Sequence, residues 1–183
     1  MPSPDPLPQT LAALWAPWRA EYFELPRPVG DFLLEAAQSD DDAASLVLLR
    51  RKSAFLLMNK FPYAGGHLMA VPYRKVPDLV DLLPEEKLEL FALAEAAQAM
   101  LRRAFRAQGF NLGLNLGSCA GAGAPDHLHL HIVPRWAGDT NFMPVLAGTR
   151  VIPEALAGTY ARLCQARDEL GLASPECPMP GAQ

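Results

Sequence analysis

Only three cysteines occur in 183 residues, Cys119, Cys164 and Cys177, and no two of them stand at Cys-x-x-Cys spacing. An odd, scattered set excludes a disulfide framework and fits a reducing, cytosolic compartment. No run of about 18 apolar residues is present, which excludes a membrane-spanning helix. The opening MPSPDPLPQT has no basic segment ahead of an apolar stretch, so no secretory leader is expected. Positive charge is not in excess: 16 Lys and Arg stand against 20 Asp and Glu, a net charge of -4. That excludes the basic footprint of a polymeric nucleic-acid binder while leaving room for a local cationic pocket. Histidine is scarce too, with four residues in all. Apolar residues, by contrast, make up 50% of the chain, enough for the core of one domain.

Proline marks the ends. Seven of the 18 prolines lie in residues 1–28 and three more in Ser174–Gln183, so both segments are expected to be extended or irregular. Within the first, Leu14–Phe23 (LWAPWRAEYF) concentrates two Trp, a Tyr and a Phe, a density that predicts docking on the domain or on a second subunit. The expected organisation is an N-terminal arm over 1–28, one domain over 29–172 and a flexible tail over 173–183. Asp40–Asp42 is expected to be a solvated turn.

Between the ends, short apolar runs alternate with helical patterns. Phe32–Gln38 is a short helix candidate. Ser45–Arg50 and Ala54–Asn59, separated by Arg51-Lys52-Ser53, predict a hairpin. Gly66–Pro72 is a third strand. A long helix follows from Pro84 to about Gln108, with Pro84, Glu85 and Glu86 at its start, Arg102, Arg103 and Arg106 near its end, and Gly109 as the stop. Its inward stripe is Leu90, Leu93, Ala94, Ala97, Leu101, Ala104 and Phe105. Phe110–Leu116 and His127–Pro134 are the fourth and fifth strands. A last helix runs from about Pro153 to Leu170, with Leu156, Tyr160, Leu163 and Leu170 inward. Five strands with few crossover helices predict an α+β domain: an antiparallel sheet with helices on one side.

The chemistry concentrates in His127-Leu128-His129-Leu130-His131-Ile132-Val133-Pro134. Alternation along a strand sends Leu128, Leu130 and Ile132 to the core and lines three imidazoles on the other face, about 6.5–7 Å apart. Packing alone gives no reason to gather three of four histidines in five residues. Two chemistries fit: a His-x-His metal site with a further ligand from elsewhere, or nucleophilic catalysis at phosphorus. Neutral imidazole attacks well near pH 7, and neighbouring rings can supply protons and hydrogen bonds. The preceding strand favours the second. Its Asn111, Gly113, Asn115 and Gly117 form a small, polar face with room for a ligand. The glycine-rich link Gly117–Pro125, including Gly121 and Gly123, carries backbone N–H groups that can cradle an anion.

HLHLHIV resembles the His-φ-His-φ-His-φ-φ signature of the histidine triad (HIT) superfamily of nucleotidyl hydrolases and transferases, over roughly Ala44 to Met143. The resemblance implies a five-stranded antiparallel sheet with a long and a C-terminal helix. It also implies a two-fold dimer whose halves share one continuous sheet, and a site for a nucleoside monophosphate unit. It assigns His129 as nucleophile at an α-phosphorus, His127 as the residue that orients it, and His131 as a phosphate contact that assists the leaving group. His67 matches the family's fourth histidine, Asn59 the ribose-binding position and Asn115 a phosphate-contacting amide. For the base, the expectation rests on Phe32 and Leu57. No resident metal or cofactor is required; a divalent cation such as Mg is expected to arrive only with a polyphosphate substrate.

Departures narrow the branch. Ala124 and Gly123 stand where two other branches place a Ser or a Gln that protonates the leaving group. Amides of the 121–125 loop, or His131, must then serve. The run Pro134–Met143 and the aromatic arm are similar to longer bacterial members described as diadenosine tetraphosphate phosphorylases or hydrolases. Arg135 is either a contact to distal phosphates or a surface arginine; Trp136 is expected to pack rather than stack on a base. Many bacterial members carry Cys-x-x-Cys near the position of Gly30–Leu34, where this chain has none, so structural zinc is not expected. The implied function is cleavage of a dinucleoside polyphosphate through a nucleotidyl-histidine, with phosphate or water as acceptor. The alternatives are a nucleoside phosphoramidase of the same superfamily and a non-catalytic nucleotide sensor.

Overall fold

The computed structural model describes residues 31–121, 123–139 and 155–172, all within one compact unit. The aromatic arm Leu14–Phe23, the run 140–143 and the tail 173–183 lie outside the described residues. Helix α1 (Phe32–Gln38) leads into strands β1 (Val47–Arg50), β2 (Ala54–Met58) and β3 (Leu68–Pro72). Then come helix α2 (Pro84–Phe105), strand β4 (Gly109–Gly113), strand β5 (Leu130–Arg135) and helix α3 (Leu156–Glu169). The strands form one antiparallel sheet in the order β1-β2-β3-β5-β4.

Both faces of this sheet are apolar in its centre, and that decides the layering. Leu56, Met58, Leu68, Ala70, Leu130 and Ile132 pack on one side with Leu90, Leu93, Ala97 and Leu101 of α2 and Leu163 and Ala166 of α3. The intervening residues Phe55, Leu57, Met69 and Val71 pack on the other side with Leu33, Ala36 and Ala37 of α1. Helices therefore cover both faces rather than one. The odd-numbered positions of β2 and β3 are as apolar as the even ones and need a cover, which the i, i+3, i+4 stripe of α1 supplies.

Element ends differ from expectation for local reasons. α2 stops at Phe105, not near Gln108, because Arg106 takes the left-handed conformation (φ 54) and its N–H bonds the Arg102 carbonyl. This turns Ala107, 6% exposed, back to the core and lets the Gln108 N–H reach the Arg135 carbonyl at 2.9 Å, where β4 begins. Met100, absent from the expected stripe, is fully buried. In α3, Leu163 is buried as expected, whereas Leu170 is 41% exposed. The chain turns at Gly171 (φ 65), and Leu172 packs on the core instead. β4 ends at Gly113 and β5 begins only at Leu130, so His127 and His129 precede the paired ladder. Asp40–Asp42 lies at the surface as expected, with Asp42 paired to Arg50 at 2.8 Å.

Candidate active site

Alternation survives ahead of β5 even without ladder bonds: Leu128, Leu130 and Ile132 all enter the α2 side of the core. The four histidines collect on the α1 side, where His131 pairs in register with Met69 of the second cluster. Each is nearly sealed from solvent, at 0% to 7% exposure. The expected row of three equally spaced rings is not what forms. His129 and His131 meet edge to face with centroids 4.7 Å apart, while His127 turns away to Pro72. Only His131 of the three is held by sheet pairing, and the other two rings follow their own hydrogen bonds.

Those bonds fix proton positions. The Tyr63 backbone N–H donates to His67 Nδ1 at 3.1 Å, so that nitrogen is the acceptor and Nε2 carries the hydrogen. His67 Nε2–H then donates to His131 Nδ1 at 2.9 Å, leaving the His131 hydrogen on Nε2. Asn115 Nδ2, itself a donor, lies 3.4 Å from that nitrogen, and the amide accepts the hydrogen only when turned to present Oδ1. Tyr63 stacks on His67 with ring centroids at 4.7 Å and holds it in place. His127 Nε2–H donates to the Pro72 carbonyl at 2.9 Å. His129 Nδ1–H donates to the His127 carbonyl at 2.8 Å. His129 Nε2 is thereby left unprotonated and makes no hydrogen bond among the described residues. Burial pushes the His129 pKa below its ordinary 6.5; the His127 carbonyl and Asp31 oppose this, His127 adds to it, and the net is downward.

The backbone is shaped to place these rings. Gly66 has φ 77, and a Cβ there would lie 2.9 Å from Leu101 Cδ2, so only glycine fits the turn that delivers His67. Gly113 pairs with His131 and has open space where its Cβ would be, which keeps the face beside His131 clear. Gly121, with φ 82, and Gly123 are exposed in the loop before His127. Such an arrangement suits attack better than chelation. His67 and His131 bond each other, His127 Nε2 is committed to a carbonyl, and a single accessible lone pair remains on His129.

Other expected residues are placed as follows. Asn59 lies beside His67, its Nδ2 3.4 Å from Nδ1, while its Oδ1 accepts the Phe61 N–H at 2.8 Å and holds the turn. Leu57 is 3% exposed beneath α1, and Phe32 is 40% exposed on that helix. Arg135 is bound bidentately by Asp139 at 2.6 and 2.8 Å and touches Asn111. Trp136 packs on the core and donates to the Phe105 carbonyl at 3.0 Å. Sequence reasoning missed Asp31, which lies 3.6 Å from His127, and Lys75, which pairs with Asp31 at 2.9 Å. An Asp just ahead of Phe32-Leu33-Leu34-Glu35 is a legible helix cap, but nothing in the string tells which ring it meets. Tyr63 was missed as well.

Comparison with known proteins bears on the family and the fold. The HIT domain profile matches residues 41–138. The AP-4-A phosphorylase of Mycobacterium tuberculosis is 41% identical over 159 residues, covering 81% of this chain and 80% of that one. The asymmetrical bis(5'-nucleosyl)-tetraphosphatase of Schizosaccharomyces pombe is 37% identical over 95 residues, 52% of each chain. Among solved structures, a Zn-bound histidine triad family protein from Mycobacterium smegmatis superposes with a TM-score of 0.62 at 24% identity, covering 76% of this chain and 94% of that one. At that identity the likeness speaks for the fold alone. Profile, relatives and fold together make this chain a member of the HIT family.

Proposed function

We propose that this enzyme cleaves a dinucleoside polyphosphate of the diadenosine tetraphosphate type at an α-phosphate, through a covalent nucleotidyl-His129 intermediate. The observation that carries this is the state of His129: Nδ1–H tied to a carbonyl at 2.8 Å and Nε2 bare in a water-poor site. Nε2 attacks the α-phosphorus, and the bond to the departing polyphosphate oxygen breaks. His131 Nε2–H, held outward by His67, stabilises that oxygen. The acceptor then attacks the same phosphorus, its proton is released, and the P–N bond breaks to restore His129.

Asn115 and the amides around Gly121 and Gly123 serve the phosphates, and Asn59 beside His67 serves the ribose hydroxyls. Leu57 provides apolar floor for the base and Phe32 its open side. The residues require no resident metal; a cation such as Mg enters with the substrate. Likeness to a phosphorylase over four fifths of both chains favours inorganic phosphate over water as acceptor.

The assignment extends to the assembly and the compartment. The domain over 29–172 pairs with a second copy through the outer edge of β4, where Asn111, Leu112 and Gly113 are exposed. The opposite edge is closed, since Tyr160 OH and Arg167 Nη1 of α3 donate to the Val47 and Leu48 carbonyls at 2.8 and 3.0 Å. No described helix is long and apolar enough to cross a membrane. Cys119 and Cys164 are free thiols, which suits a reducing cytosol.

The test is incubation with diadenosine tetraphosphate, with and without inorganic phosphate, and resolution of the nucleotides formed. ADP plus ATP only with phosphate is the expected result. AMP plus ATP regardless of phosphate assigns water as acceptor. No turnover in either tube overturns the proposal and leaves phosphoramidate cleavage or nucleotide sensing.

A further inference from the structure

His127 is fully buried, and its two nitrogens are treated unequally. Nε2 donates to the Pro72 carbonyl; Nδ1 is buried and makes no hydrogen bond. Facing Nδ1 at 3.6 Å is Asp31 Oδ2, in an ion-pair rather than a hydrogen-bond geometry. Asp31 is itself held from two sides. Its Oδ1 accepts the N–H groups of Leu33 and Leu34 at 3.2 Å, capping α1, and its Oδ2 pairs with Lys75 Nζ at 2.9 Å. Burial raises the Asp31 pKa, but Lys75, the Leu34 N–H and His127 outweigh it, and the net is a carboxylate below its ordinary 3.8. The charged groups around the His127 ring are thus Asp31 on α1, Lys75 after β3, and Asp126, which acts on Lys75 from the loop before β5. His129, bonded through Nδ1 to the His127 carbonyl, senses both His127 and Asp31.

A carboxylate behind a buried imidazole has one evident use when the next group along is a nucleophile oriented by that residue's own carbonyl. We propose that Asp31, braced by Lys75 and the first turn of α1, is a positioning residue for the reaction: it clamps the His127 ring through Nδ1 and so fixes the carbonyl that orients His129. The clamp needs hydrogen on both ring nitrogens, Nε2–H on the Pro72 carbonyl and Nδ1–H toward Asp31 Oδ2; a ring with its one hydrogen on Nε2 would instead turn a lone pair to the carboxylate. Lys75 keeps the carboxylate from turning to solvent, its own side chain being 43% exposed while that of Asp31 is 15% exposed. The inference rests on the assignment of His129 as nucleophile, and its test has a readout that does not need turnover.

Asp31→Asn keeps the helix cap, since Asn caps as well as Asp, and removes the charge. Histidine-labelled protein is followed by 15N NMR alongside steady-state kinetics. In the wild type, His129 is expected as a single Nδ1–H tautomer. In Asp31→Asn it becomes a tautomer mixture, its titration midpoint moves lower because the Asp31 charge no longer raises it, and kcat falls roughly tenfold to a hundredfold while KM changes little. Lys75→Met gives the same changes in smaller measure and carries the test should Asp31→Asn fail to fold. A purely structural cap would lower the melting temperature and leave the His129 tautomer and kcat unchanged, which overturns the proposal. Absence of turnover in the wild type strikes at the function assignment instead, and the NMR result alone then decides the role of Asp31.

Discussion

If His129 attacks as proposed, the choice of nitrogen is made by a backbone carbonyl: with Nδ1–H bound to the His127 carbonyl, only Nε2 has a lone pair to offer. Removing that ring tests the assignment directly. His129→Ala is expected to lose turnover by at least 10³-fold, yet to bind the nucleotide with little change, as isothermal titration would show; a protein that merely senses nucleotide would keep its function. The protonation state gives a second prediction. Because burial lowers the His129 pKa, the acidic limb of the kcat/KM profile should have its midpoint below 6.5. The same shift couples to stability. Between its folded pKa and 6.5 the unfolded chain binds the proton that the folded site refuses, so stability is full above about 6.5 and declines as pH falls. Melting temperatures from pH 8 to 5 in wild type and His129→Ala check this, the mutant losing that part of the slope.

Among the elements, what the string makes legible is periodicity, and what it hides is where pairing begins. The apolar stripe of α2 could be read from Leu90 to Leu101 because i, i+3, i+4 spacing is a local property. Its end could not, because Arg106 adopts a left-handed conformation that nothing in its residue type favours. The requirement is tertiary: Ala107 must drop into the core so that Gln108 can meet Arg135. Such a site is open to improvement. Arg106→Gly removes the Cβ penalty of the left-handed conformation at the cost of some unfolded-state entropy. It is expected to stabilise the fold by about 0.5–1 kcal/mol, seen as a rise of about 1–4 °C in melting temperature. An unchanged or lower value would mean that the Arg106 side chain contributes more than its backbone strains. The histidine strand shows the same division. Alternation of apolar and imidazole residues was legible, whereas the turning of His127 toward Pro72 and Asp31 was not, because both partners come from elsewhere in the chain.

For the molecule as a whole, the two edges of the sheet are treated differently, and this bears on assembly. β1 is capped by Tyr160 and Arg167 of α3, whereas β4 presents Leu112, 41% exposed, beside the exposed Asn111 and Gly113. An edge left open among the described residues, with an apolar side chain, is a template for pairing with another strand, and antiparallel pairing of two β4 edges across a two-fold axis would join the halves into one sheet. The site lies close to that seam. Gly113 pairs with His131, and Asn115, two residues further on, faces His131 Nε2. Dimerisation is therefore expected to steady the segment that carries Asn115 as well as to cover Leu112. Light scattering coupled to gel filtration should give the mass of two chains, and Leu112→Glu, which sets a charge at the seam, should shift it to one. If β4 pairing supports the site, the monomeric variant should also lose affinity for its nucleotide while remaining folded by circular dichroism. A wild type that is monomeric at all concentrations would end the β4 proposal, and a monomeric variant with undiminished activity would show that each site is complete within one chain.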